Sequence, residues 1–173
     1  RYLDAHGTWF DRFTPPAAPL GTDVVTFPAG PEFARLESSG APWPKSDDTT
    51  HIDFRGFRLD DDGTPTFLYR FDGLDVEDRL VPAADQTIIR QLRFQSDDPA
   101  AGKLAFRALA GTALKKVSSK SYRDGAGLTV TLTGSDAPAG YLSESPDDDE
   151  TISTWIVPFD PATTPLLTLR YSW

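Results

Sequence analysis

Residues 54–95 alternate apolar and polar side chains, and this stretch constrains the fold more than any other. In segments 74–81 and 88–95, every second position is apolar except for one charged residue in each row, Asp78 and Arg90. Because successive side chains of a strand point to opposite faces, the pattern predicts strands with one buried face. Asp-Asp-Asp-Gly and Asp-Gly sequences at 60–63 and 72–73 supply the turn residues that hairpins require. We therefore expect a meander of four antiparallel strands at the centre of the chain.

Shorter segments on both sides of the meander carry the same strand signals. With no long helix in view, the pattern predicts an all-β fold, an antiparallel β-sandwich of about ten strands with a central meander. We treat residues 1–173 as a single domain, because this length suits one hydrophobic core. Methionine is absent even at the first position, so we expect a processed piece or subunit of a larger protein. Further strands are predicted in residues 1–13, 22–27, 103–117 (two, broken at Gly111), 128–133, 151–157 and 166–173, with irregular loops at 28–50 and 137–150.

Composition excludes several functional classes. The formal net charge of -9 repels phosphate backbones and anionic lipids, so we expect no nucleic-acid partner. No apolar run approaches the roughly 20 residues of a spanning helix, so we expect no membrane insertion. The chain has no cysteine, hence no disulfide, thiolate metal site, cysteine nucleophile or C-x-x-C-H haem attachment. The two histidines, His6 and His51, lie far apart in sequence and outside any ligand-spaced motif, so we interpret both as turn residues.

Two acidic runs are candidates for a metal site. Asp60, Asp61 and Asp62 could hold Ca²⁺, which takes several hard oxygen ligands. Residues 147–150 form a second run of the same kind. Neither matches the calcium loop of an EF-hand, and a solvated hairpin tip and a solvated loop are the simpler interpretations. We therefore predict no cofactor in this chain, with Ca²⁺ as the open alternative.

Carboxylates of the third strand of the meander are candidates for catalysis. Asp75, Glu77 and Asp78 could supply the paired carboxylates of a carbohydrate-active enzyme. Asp75 and Glu77 share the outward face of the strand, where cross-strand ion pairs with arginines explain them as well. Asp78 shares the apolar face and needs a partner, for which Arg90 is the best placed, since it also lies on an apolar face. We therefore predict a structural ion pair between Asp78 and Arg90.

Aromatic residues in predicted loops and turns are candidates for sugar binding. Trp9, Trp43, Tyr122 and Tyr141 could stack on sugar faces, as the aromatic side chains of carbohydrate-binding sandwiches do. The two tryptophans have structural interpretations too. Trp9 is better interpreted as a core residue, and Trp43 as a plug that closes one end of the core.

The run FRGFRLDDDGTPTFLYRFDGLDVEDRL at residues 54–80 resembles a segment of very large exported proteins of planctomycete and verrucomicrobial bacteria. Those proteins combine c-type cytochrome modules with β-propeller sugar-dehydrogenase-like or other carbohydrate-related domains. The resemblance is carried by FRGFRL at residues 54–59, GTPTF at 63–67 and VED at 76–78. The opening RYLDAHGTWFDR and the closing LRYSW fit the same proteins more loosely.

The resemblance implies an exported all-β accessory domain, periplasmic or extracellular, close to a cytochrome in the parent polypeptide or complex. Haem would sit in a partner domain or chain, because the C-x-x-C-H motif is absent here. Our first hypothesis is a non-catalytic structural or interaction domain whose partners are other domains or chains of a larger exported complex. A carbohydrate-binding module with a polysaccharide partner is the alternative. A carbohydrate-active enzyme that uses Asp or Glu is the less favoured third hypothesis.

Overall fold

The computed structural model describes residues 2–3, 9–10, 32–38, 41–44, 52–96, 104–147 and 150–173, with the backbone alone at 2–3, 9–10, 146–147 and 150. This part of the chain contains fourteen strands and no helix, which confirms the predicted all-β fold. The strands form three antiparallel sheets. In chain order they are β1 (Tyr2–Leu3), β2 (Trp9–Phe10), β3 (Phe33–Arg35), β4 (Ile52–Leu59), β5 (Pro65–Phe71), β6 (Leu74–Ala83), β7 (Thr87–Ser96), β8 (Leu104–Gly111), β9 (Lys115–Ser118), β10 (Ser121–Arg123), β11 (Thr129–Thr133), β12 (Tyr141–Asp147), β13 (Glu150–Phe159) and β14 (Leu166–Ser172).

The larger sheet has eight strands in the order β4-β5-β6-β7-β14-β11-β10-β9. Its first four strands follow one another in sequence and form the predicted central meander. Gly63 and Gly73 adopt φ values of 81° and 82° at two of its turns, a conformation that glycine reaches without steric cost. β14 lies between β7 and β11, where Ser172 pairs with Thr87. β1 and β2 pair separately as a two-stranded sheet.

The smaller sheet has four strands in the order β12-β13-β8-β3, and its side chains share one buried cluster with those of the larger sheet. Phe33 of β3 lies against Tyr69, Phe71 and Phe94 of the larger sheet, with ring centroids 5.9–6.2 Å apart. Phe94 also stacks on Phe159 of β13 at 4.4 Å. The two sheets therefore have a sandwich-like arrangement. It is stabilised mainly by the apolar area that the facing sheets remove from water.

Two strands occur where the sequence predicts loops. β3 lies within residues 28–50, and β12 lies within residues 137–150. β12 shows no clean alternation, and its antiparallel pairing with β13 decides its structure. The predicted break at Gly111 is confirmed, because β8 ends there and β9 follows after a turn. The predicted strand at residues 22–27 lies outside the described part.

Candidate functional site

A buried polar cluster centres on Arg90, on the inner face of β7. Arg90 donates from Nε to Oδ1 of Asp78 at 2.9 Å and from Nη2 to Oδ2 at 2.6 Å. It also donates from Nη1 to Oε1 of Glu32 at 2.9 Å. Arg90 and Asp78 are both buried. The structure thus brings together the two residues of the predicted ion pair and adds Glu32 as a second carboxylate.

The pKa shifts of Tyr69, Tyr171 and Arg90 keep these three side chains protonated near neutral pH. The Tyr69 hydroxyl donates to Asp78 at 3.2 Å, and burial, with the nearby Asp78 charge, raises the pKa of Tyr69 far above its usual value. Burial also raises the pKa of Tyr171 to about 12. Burial acts to lower the pKa of Arg90, but its hydrogen bonds to Glu32 and Asp78 outweigh this and hold that pKa well above its ordinary value. Groups that stay in one ionisation state stabilise structure but do not exchange protons with a substrate.

Two ion pairs join β3 to the larger sheet, one at each end of this short strand. Glu32 immediately precedes β3 and accepts hydrogen bonds from Arg90. Arg35, the last residue of β3, donates to the carboxylate of Asp72. Phe33, near the first of these pairs, is buried in the aromatic core. The ionic cluster therefore has a structural role, because it fixes the edge strand of one sheet to the other sheet.

The three carboxylates considered for catalysis do not converge. Asp75 and Glu77 lie on the outer face of β6, whereas Asp78 lies on the inner face. Arg58 donates from both terminal nitrogens to Glu77 at 2.9 Å, and these hydrogen bonds lower the pKa of Glu77. Arg70 approaches Asp75 at 3.7 Å. The strand therefore separates Asp78 from the other two carboxylates, which share the outer face and each lie beside an arginine.

The acidic tip of the β4–β5 hairpin is engaged by groups of the protein itself. Arg79 donates from Nε to Oδ2 of Asp60 at 2.9 Å. The backbone N–H of Thr64 donates to Oδ1 of Asp62 at 2.9 Å, and this bond lowers the pKa of Asp62. Asp61 is exposed. Within the described ranges, no group of three or more His, Cys, Asp or Glu side chains is arranged to hold a metal ion, so the predicted Ca²⁺ ligands do not form a cluster.

Trp43 and Tyr122 are buried, which corrects their prediction as sugar platforms. Trp43 is 7% exposed and packs in a small apolar cluster, as a plug would. Tyr122 is 5% exposed, with its ring centroid 4.8 Å from that of Trp155, because it lies on β10 and not in a turn. Tyr141 is half-buried at the start of β12. The side chain of Trp9 and both histidines lie outside the described part.

The sequence analysis missed an exposed apolar surface on β4 and β5, which we name the apolar overhang. Five of the eight large apolar side chains that are exposed in the described part belong to it, and they are between 37% and 62% exposed. In the sheet, Phe57 is in register with Phe67, and this row continues through β6 to the fully buried Leu92 of β7. The members of the apolar overhang are Ile52, Phe54, Phe57, Leu59 and Phe67.

The apolar overhang is the inner face of the larger sheet continued past the smaller one. The smaller sheet has four strands against eight, and its edge strand β3 lies over Tyr69 and Phe71. Period-two alternation shows which face of a strand is apolar, but it carries no information on how far the facing layer extends. The only sequence signal is the density of phenylalanine in FRGF at residues 54–57.

These features define a class of protein: an all-β fold of two facing antiparallel sheets, with a buried ionic cluster and an apolar edge that the described strands of the smaller sheet do not cover. No family model matches the sequence, and no curated protein or solved structure matches it significantly. The part of the chain that the structure describes contains no helix with the length and hydropathy needed to cross a membrane. The function of the protein is therefore inferred from its own sequence and surfaces.

Proposed function

We propose that this chain is a non-catalytic interaction domain, a single β-sandwich that joins chains or domains of a larger exported bacterial assembly. The observation that carries this proposal is the apolar overhang. The largest contiguous exposed apolar patch on a folded protein is often an interaction site. Glu77 and Asp78, in contrast, are held in separate ion pairs on opposite faces of one strand.

The exported, cytochrome-associated setting of the proposal is supported by the resemblance at residues 54–80. That run contains most of β4 and all of β5, so the resemblance and the apolar overhang coincide in the chain. The domain would act in the periplasm or outside the cell. A partner would supply any haem, because this chain has no cysteine for covalent attachment.

Co-purification with haem tests this function. A tagged wild-type chain, expressed in its source organism, should carry a Soret band from haem-bearing chains that purify with it. The Phe57→Asp variant should lower the ratio of Soret absorbance to protein severalfold, since a carboxylate buried in an apolar contact is costly. Val117→Asp is the matched control, because Val117 and Phe57 are both 60% exposed and lie on opposite edge strands of the larger sheet. A wild-type preparation that is a single colourless species would contradict the proposal.

A further inference from the structure

The edge of β4 is poorly suited to pairing with another strand. Its pairing with β5 contains a bulge between Phe54 and Gly56, where Gly56 adopts a φ of 118°. Asp53 and Arg55 form an exposed ion pair along the same strand. Bulges and charged side chains at a sheet edge discourage the addition of a further strand. An occupant of this region therefore covers the apolar face and does not extend the sheet.

The size of the apolar overhang suits a symmetric contact. Its exposed area is roughly 500 Å², taking about 150–250 Å² for a complete aromatic side chain. Two such surfaces packed together would remove about 1,000 Å² from water, close to the lower limit for a specific protein–protein interface. One overhang against another is thus sufficient for an interface, although a weak one.

The charge distribution favours contact between two copies at this place. The whole chain carries -9 and repels its own copies in general. Residues 52–71, which contain β4, β5 and their turn, hold four Asp and three Arg, a net charge of -1. All members of the apolar overhang are uncharged, so contact between two overhangs places no charged side chain in the centre of the interface. The rings of Phe57 and Phe67, 6.4 Å apart, would meet the same pair of the second copy.

We infer that the apolar overhang binds the overhang of a second copy of this chain, so that the domain joins its assembly by pairing two identical subunits. This inference rests on the proposed function and names the partner of the same surface. The twofold contact would give each copy the second layer that its smaller sheet does not provide over β4.

Sedimentation equilibrium of the purified chain tests the inference. Wild type should show a reversible monomer–dimer equilibrium with a dissociation constant of about 1–100 µM, as expected for a small interface. Phe57→Asp should raise that dissociation constant at least tenfold, which corresponds to a loss of about 1.4 kcal/mol of binding free energy. Phe57→Thr, which keeps a high strand propensity, should also weaken the dimer and guards against a folding defect. Val117→Asp should leave the constant unchanged.

The other outcomes distinguish failure of the inference from failure of the proposed function. If the wild-type chain remains monomeric up to about 100 µM, a second copy does not bind the apolar overhang and the inference is wrong. If Phe57→Asp then lowers the free energy of unfolding of the monomer, the overhang is covered within the chain. If it lowers only the Soret ratio described above, the occupant is a different chain, and the proposed function stands without the inference. A dimer that carries no haem-bearing chain would instead retain the inference and reject the cytochrome association.

Discussion

Arg90 holds a full positive charge among apolar side chains, and its surroundings show how this is tolerated. Two carboxylates accept its hydrogen bonds, and its guanidinium carbon lies 5.8 Å from the ring centroid of Phe106. Removing a guanidinium from water costs several kcal/mol, and only well-formed hydrogen bonds to opposite charges offset that cost. A buried pair of this kind adds little net stability while intact. Removal of only one partner of the pair is nevertheless strongly destabilising, because the other charge stays buried without a counter-charge.

Replacement of Arg90 should therefore be far more damaging than loss of an exposed ion pair. Arg90→Leu should lower the free energy of unfolding by about 3–5 kcal/mol, because it leaves Asp78 buried without a cation. The double variant Arg90→Leu with Asp78→Leu should recover most of this loss. Arg58→Leu, which breaks the exposed pair with Glu77, should cost less than about 1 kcal/mol. Urea denaturation measures all three, and equal losses for Arg90→Leu and Arg58→Leu would refute this account of the cluster.

Tyr171 should give the protein a specific sensitivity to high pH. Its folded-state pKa is about 12, against about 10 in an unfolded chain. The folded state keeps the phenolic proton longer, so the associated stability is complete below about pH 10 and is lost as the pH rises towards about 12. Tyr171→Phe should thus lose less stability than wild type between about pH 9 and 11. The urea denaturation midpoints of both proteins at these two pH values measure the difference. Equal losses of stability in wild type and Tyr171→Phe would show that other groups cause the effect.

At the scale of strands, the meander can be predicted because apolar side chains concentrate on one face of each strand, as residues 74–81 show. The contact of Asp78 with Arg90 can be predicted from the same alternation, since a charged side chain in an apolar row is buried and requires an oppositely charged partner. β12 cannot be predicted in this way, because its sequence is mostly polar and pairing with β13 determines it. The burial of Tyr122 depends on Trp155 of the facing sheet. The exposure of Phe57 depends likewise on where that sheet ends.

The start of β12 should be intolerant of any side chain at Gly140. A β carbon there would lie 2.7 Å from the carbonyl oxygen of Ile156 and would overlap the indole nitrogen of Trp155. Both neighbours are fully buried and cannot move aside. Gly140→Ala should cost about 1–3 kcal/mol by overpacking.

Gly125→Ala is the control for this substitution. Its β carbon would meet that of Ala113 at an ordinary 3.6 Å, so we expect a change within about 0.5 kcal/mol. Thermal denaturation of the two variants measures the contrast. A Gly140→Ala variant as stable as Gly125→Ala would show that β12 can shift away from β13.

At the scale of the whole molecule, stability should be highest where the two sheets overlap. The shared core draws on β6, β7, β11 and β14 of one sheet and on β8 and β13 of the other. β4 and β9 are the edge strands of the larger sheet, and their side chains are mainly exposed. Strands with few buried apolar contacts open locally at lower free energy.

Hydrogen exchange followed by mass spectrometry should reveal this gradient. In dilute solution, where the chain is monomeric, amides of β4 and β9 should exchange well before those of β7 and β14. At high concentration, β4 and β5 should gain protection while β9 does not, because only the first two contribute to the apolar overhang. Protection of β4 equal to that of β7 under dilute conditions would contradict the edge position described above.

The position of β14 has a consequence for how the chain reaches this fold. The meander from β4 to β7 closes through short turns, whereas β14 joins β7 only when Thr87 meets Ser172, far along the chain. Contacts of that sequence separation form late, because a long loop must be closed first. Until β14 arrives, β7 and β11 each present an open edge in the middle of the future sheet. Because unpaired strand edges pair readily with other chains, we expect β7 and β11 to be the edges most exposed to misassembly before β14 is in place.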